Sequence, residues 1–161
     1  MATSCIQFLE ETAQKFPNKT AISCKSKSLT FKELTTSSKN LTTHLPSGIK
    51  NCPIAILLPK SCDSVVAFMA VLYSGNFYSP LDVKLPEQKI KKILANLEPR
   101  AIITNSDLTS FIKRELPKCT IIAIDQQECI AAVPNEPTGW KKILDKDPIY
   151  CIYTSGSTGE P

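Results

Sequence analysis

Glycine and histidine are scarce here: five glycines and a single histidine, His44, in 161 residues. One histidine cannot build a multi-histidine metal centre. With no acid or nucleophile placed beside it to suggest a triad, it reads as a surface or helix-end residue. The seven cysteines, at positions 5, 24, 52, 62, 119, 129 and 151, contain no C-x-x-C pair, and an odd number cannot all pair within one chain. They read as reduced, small apolar fillers of a cytoplasmic protein. The longest apolar stretch, residues 65–73, falls far short of the roughly 20 residues that cross a bilayer. The N-terminus lacks the basic and apolar regions of a secretion signal, so no membrane association is expected. The lysines behind the net charge of +4 are scattered, without a basic run or interleaved aromatics, which argues against a nucleic-acid partner.

What is present is enough apolar content, 42%, to pack one ordinary domain or a piece of one. Ile6, Leu9, Ala13 and Phe16 fall along one face of a helix that ends at Pro17-Asn18, and residues 20–24 read as a short strand. Leu29-Thr30-Phe31 leads into a second helix. It opens on the capping box Thr30-x-x-Glu33, carries Leu34, Leu41 and Leu45 as its stripe, and is closed by Pro46-Ser47-Gly48. Residues 53–58 are a continuous apolar run, as in a strand covered on both faces. The helix after it, residues 61–74, is apolar nearly all round and should be central. Gly75 stops it and leads into a strand.

Pro86 suits the first turn of the next helix, where Ile90, Ile93, Leu94 and Leu97 follow the i, i+3, i+4, i+7 spacing. Residues 100–104 and 119–124 read as buried strands, with a helix between them capped by Ser106 or Asp107. Residues 126–146 read as a loop with a short helix near Trp140, and residues 149–153 as a further buried strand. Strands alternating with amphipathic helices define an α/β fold with a largely parallel sheet.

The last of those strands runs into Thr154, Ser155, Gly156, Ser157, Thr158 and Gly159, so two of the five glycines lie in one loop among four hydroxyls. Glycine admits positive φ and lets backbone N–H groups converge on phosphate oxygens, while hydroxyls add donors. The loop is not a Walker A motif, because the G-x-x-x-x-G-K-[ST] spacing and its lysine are absent. For an arbitrary loop of this composition, a plain turn is favoured about three to one over a phosphate cradle.

The full string, Tyr153-Thr154-Ser155-Gly156-Ser157-Thr158-Gly159-Glu160-Pro161, resembles the signature loop of the adenylate-forming (AMP-binding) superfamily. That superfamily holds nonribosomal peptide synthetase adenylation domains, D-alanine carrier-protein ligases, acyl-CoA synthetases and luciferases. Two upstream segments are similar to further motifs of the same superfamily. Leu29-Thr30-Phe31-Lys32-Glu33-Leu34 resembles "LTYxEL", and Tyr73-Ser74-Gly75-Asn76-Phe77-Tyr78-Ser79-Pro80-Leu81-Asp82 resembles "KAGxAYVPLD". Pro86 and Ile90 match its "PxERI" helix start. Val83 stands where a proline is usual, and Ser74 and Asn76 replace the common neighbours of the glycine.

The resemblance covers the whole chain and implies that residues 1–161 are part of the large N-terminal subdomain, cut within the phosphate loop. It implies ATP with Mg2+ as cofactor and activation of a carboxylate, in particular an amino acid, as an acyl-adenylate. Transfer to a carrier-protein phosphopantetheine or to coenzyme A would follow. Residues 154–159 would bind the β- and γ-phosphates, and no catalytic or metal-ligating residue is assigned within the chain, which by itself would be inactive. An acyl-CoA synthetase segment and a non-catalytic truncated remnant are the alternatives.

Overall fold

The computed structural model describes residues 4–25, 27–126 and 136–154. Its pivot is the strand Pro53–Leu57 (β3). Successive side chains of a strand point to opposite faces, and here Ile54 and Ile56 enter one apolar cluster while Ala55 and Leu57 enter another. With both faces covered, all four are buried, as the unbroken apolar run predicts.

The remaining elements are, in chain order, α1 (Cys5–Lys15), β1 (Thr20–Ser23), β2 (Ser28–Thr30), α2 (Phe31–Thr42), α3 (Cys62–Tyr73), β4 (Phe77–Leu81), α4 (Glu87–Leu97), β5 (Ala101–Thr104), α5 (Thr109–Glu115) and β6 (Thr120–Ala123). Strands β3 to β6 form a parallel sheet in the order β4-β3-β5-β6, with Leu57 opposite Leu81 on one side and Thr104 on the other. Helices α2 and α3 pack on the face bearing Ile54, Ile56 and Ile103, and α4 and α5 on the face bearing Ala55, Leu57 and Ile102. The α/β fold with a largely parallel sheet is therefore observed.

Local sequence explains the helix boundaries. At the start of α2 the Glu33 amide donates to Thr30 Oγ1 (3.2 Å) and the Thr30 amide donates to Glu33 Oε2 (2.8 Å), closing the capping box. A second reciprocal cap, Ser61 with Ser64, opens α3. It escapes the usual pattern because serine replaces the glutamate or glutamine at the third position. Gly75, at φ +82°, ends α3 and turns the chain into β4. His44 lies half-buried just past the C-cap of α2.

Five expectations need correction. Leu29 and Thr30 do more than lead into a helix: Ser28–Thr30 is a strand, paired antiparallel with β1 in a hairpin separate from the main sheet, and three residues are too few to show alternation in sequence. Phe16 leaves the α1 stripe. It is the C-cap, its backbone is no longer helical, and its ring is 55% exposed beneath Lys19 Nζ. Pro86 is the N-cap of α4, with ψ 140°, one position before the first turn. Ser106 and Asp107 do not cap α5; they form a 3-10 turn before it, and the Ser106 amide and hydroxyl both donate to Asp125. Finally, residues 149–153 do not form a buried strand. They make one isolated parallel bridge, Tyr150 to Tyr78, at the outer edge of β4, with Tyr150 and Ile152 more than half exposed because nothing among the described residues covers them.

No helix among the described residues is long and apolar enough to cross a membrane. Two substitutions on the strands that flank β3 separate packing from polarity. Ile103→Ala opens a cavity at a fully buried site and should cost about 2–5 kcal/mol in urea unfolding. Ser79→Ala removes a fully buried hydroxyl that has no partner among the described residues and should leave stability unchanged or raise it.

Candidate functional site

The connections of neighbouring strands leave the sheet in opposite directions. The turn after β3 leads to α3 on one face, whereas those after β4 and β5 lead to α4 and α5 on the other. Such divergence opens a crevice outside the carboxyl ends of the strands, where ligands of open α/β sheets bind. A cavity of about 970 Å³ lies there, at the upper end of the usual range for small-molecule sites. Its floor is Leu58 and Leu81, its wall is Val65 and Phe68 of α3, and Lys60 and Asp82 bring opposite charges to its rim.

A second, smaller cavity, of about 400 Å³, lies at the opposite end of the sheet, between the loop after α2 and residues 136–139. Residues 136–147 carry the chain back across that end as a strap. Lys39 Nζ bonds Glu136 Oε1 at 2.8 Å and Glu10 Oε1 at 3.0 Å, and the buried Tyr73 hydroxyl donates to Glu10 as well. Burial alone would lower the Lys39 pKa, but its bonds to Glu136 and Glu10 outweigh it and raise the value. Burial and then the Glu10 acceptor raise that of Tyr73.

Further along the strap, Gly139 meets Ser74 and Gly75 so closely that an added Cβ would stand 2.3 Å from the Ser74 carbonyl oxygen. Trp140 packs beside Ile6 and Tyr73. Asp147 accepts from the Leu144 amide at 2.8 Å and from Lys50 and Asn51 at 2.9 Å each. In that order, these contacts hold its carboxyl well below its ordinary 3.8, at about 2. The sequence showed a loop with a short helix near Trp140, and a 3-10 turn over Gly139–Lys142 is there. The anchors were invisible, because Lys39 and Glu136 are separated by 97 positions, and Asn51 and Asp147 by 96.

The strap delivers the chain to the edge of β4. The Tyr78 amide donates to the Ile149 carbonyl and the Cys151 amide to the Tyr78 carbonyl, at 3.2 and 2.9 Å. The Phe68 and Tyr78 rings stack 4.5 Å apart, with Tyr150 tilted against Tyr78. Tyr153 turns to the other face, donating to Asn96 Oδ1 of α4 at 2.7 Å. Of the six loop residues singled out in the sequence, Thr154 is described and exposed, whereas Ser155, Gly156, Ser157, Thr158 and Gly159 lie outside the described residues. Among the described residues, no group of three or more histidine, cysteine, aspartate or glutamate side chains could hold a metal ion.

Parallel strands, helices on both faces and a cavity at the carboxyl end define the class: an open-sheet α/β domain of the kind that carries ligand sites. A family model described as "AMP-binding enzyme" matches residues 9–161, and the chain belongs to that family. It is 31% identical over 164 residues to gramicidin S synthase 1 of Brevibacillus brevis, covering 96% of this chain and 14% of that protein. It is 28% identical over 163 residues to tyrocidine synthase 1 of Brevibacillus parabrevis, again covering 96% of this chain and 14% of that protein. The chain thus spans a small part of the curated relatives it matches. In fold it is similar to the N-terminal subdomain of Klebsiella oxytoca NpsA, with TM-score 0.79 and 20% identity over 99% of this chain and 39% of that one. VinN in complex with 3-methylaspartate is similar at TM-score 0.78 and 20% identity, over 96% and 45% of the two chains.

Two predictions test the strap. Gly139→Ala should displace it, at a cost of about 1–3 kcal/mol, with faster amide exchange confined mainly to residues 136–147. Because the folded pKa of Asp147 is depressed, its contribution is present above pH 3.8 and lost as pH falls through about 2. Trp140 is the one tryptophan in the chain, so its fluorescence should change across that window, and by less in Asp147→Asn.

Proposed function

We propose that this chain is part of the N-terminal subdomain of an ATP-dependent, adenylate-forming enzyme that activates an amino acid as an aminoacyl-adenylate. The observation that carries the proposal is the family match running through the loop at residues 154–159. Further support comes from the peptide-synthetase relatives at 28% and 31% identity. The exposed Tyr150 and Ile152 suit an edge that receives more of a larger subdomain.

In this proposal the substrate carboxylate attacks the α-phosphorus of ATP and pyrophosphate leaves. The part taken by this chain's residues is to hold and orient. Thr154, Ser155, Gly156, Ser157, Thr158 and Gly159 offer backbone N–H groups and hydroxyls to the β- and γ-phosphates, which positions the triphosphate and stabilises the departing charge. They do no acid–base chemistry. Mg2+, when bound, neutralises phosphate charge. The second step passes the acyl group to a thiol, that of a carrier-protein phosphopantetheine or of coenzyme A.

Carboxylate-dependent ATP–pyrophosphate exchange on the enzyme that carries this segment, run across amino acids, D-alanine and fatty acids, tests the proposal. Exchange with one amino acid is expected. Exchange with fatty acids alone would move the protein to the acyl-CoA synthetases, and none with any carboxylate would point to a non-catalytic remnant. In the active enzyme, Ser157→Ala and Thr158→Ala should each lower kcat/KM for ATP by about 10- to 150-fold, the value of one hydrogen bond to a charged group.

A further inference from the structure

Two cysteines that the adenylation chemistry does not use stand face to face. Cys24 closes the β1–β2 hairpin, its amide donating to the Lys27 carbonyl at 2.8 Å, and Cys62 is the first residue of α3. Their sulfurs are 2.9 Å apart although 38 positions separate them in sequence. The hairpin is held against α3 at this point. The Cys62 thiol also donates to the Lys27 carbonyl at 3.2 Å, and Lys27 Nζ bonds Asp63 Oδ1 at 2.8 Å. Reaching an S–S bond of about 2.0 Å therefore takes a shift of under about 1 Å, in a contact already fixed on both sides. The pair also borders the crevice described above, because Cys24, Ser61 and Ser64 all line the large cavity.

We propose that Cys24 and Cys62 form a reversible redox pair, closing on two-electron oxidation to a disulfide that staples the β1–β2 hairpin to the start of α3 along the cavity wall. The oxidant is a peroxide. Cys24 is half-buried and lines the cavity, whereas Cys62 is 2% exposed, so attack begins at Cys24. Its sulfur takes one peroxide oxygen as the O–O bond breaks, giving a sulfenic acid and one water. The Cys62 sulfur then attacks the Cys24 sulfur, the S–S bond forms, the S–O bond breaks, and the hydroxyl leaves with the Cys62 proton as a second water. Two thiols and one peroxide thus become one disulfide and two waters. The hydrogen bond to Cys24, and then burial, raise the pKa of the Cys62 thiol, which disfavours it as the thiol that reacts first with peroxide. The hairpin is not hydrogen-bonded into the main sheet, so the staple would add a covalent link to the polar contacts that hold it against the start of α3.

The proposal goes beyond amino-acid activation and is tested without it. The full chain is treated with hydrogen peroxide, alkylated, and digested without reductant. The expected result is a cross-linked Cys24–Cys62 peptide, five of the seven thiols left for alkylation, and return of all seven on adding dithiothreitol. In Cys24→Ser the same treatment should leave Cys62 alkylatable and unlinked. In Cys62→Ala the sulfenic acid should persist at Cys24, where dimedone traps it. Cys24 carried to sulfinic acid beside a free Cys62 in the unsubstituted chain would overturn the proposal. So would a different intramolecular pairing, or seven unchanged thiols.

Discussion

Burial of β3 on both faces is the constraint from which the rest of the architecture follows. A strand that presents Ile54 and Ile56 to one side and Ala55 and Leu57 to the other must be covered twice, and parallel neighbours with crossover helices provide both covers. Right-handed crossovers put α3 on one face and, because the chain reverses direction across the sheet after β4, α4 and α5 on the other. The same division makes the strand exits diverge and opens the crevice at the carboxyl ends. The cavity thus arises from the packing that buries the core.

Charge is used sparingly, where packing alone leaves choices open. The four-stranded sheet and its helices pack mainly through apolar contacts, with a few buried hydroxyl bonds such as Thr42 to the Ala70 carbonyl and Thr104 to the Leu57 carbonyl, but the strap over residues 136–147 has only Trp140 to contribute to an apolar cluster. Its path is set by Lys39 with Glu136, Lys50 and Asn51 with Asp147, and the close approach of Gly139 to Ser74. Exposed ion pairs contribute little singly. Here they act with a glycine contact and backbone bonds, and together they settle where the edge segment meets β4. The edge segment that ends at Thr154 is therefore aligned from the far end of the sheet.

Much of this was legible in the amino-acid order, for reasons tied to particular residues. The stripe Ile90, Ile93, Leu94 and the box Thr30 with Glu33 depend on neighbours within one or two turns, so they read directly as α4 and the start of α2. Misreadings occurred where a local pattern was shared by two outcomes. Residues 149–153 are apolar enough for a core strand yet lie at an edge. Ser106 has the chemistry of a helix cap, but it lies in the 3-10 turn that precedes α5, where its amide and hydroxyl donate to Asp125.

The family was determined by sequence alone, through the string from Tyr153 to Pro161 and the two motifs upstream, because spacing of donors and glycines along a loop is a one-dimensional property. So was the α/β class, because periods of two and of about 3.6 are written in order along the chain. Tertiary structure alone decided the faces on which the helices pack, the anchoring of Asp147, and the meeting of Cys24 with Cys62. Each of those joins residues tens of positions apart, and only chain folding brings such partners within bonding distance.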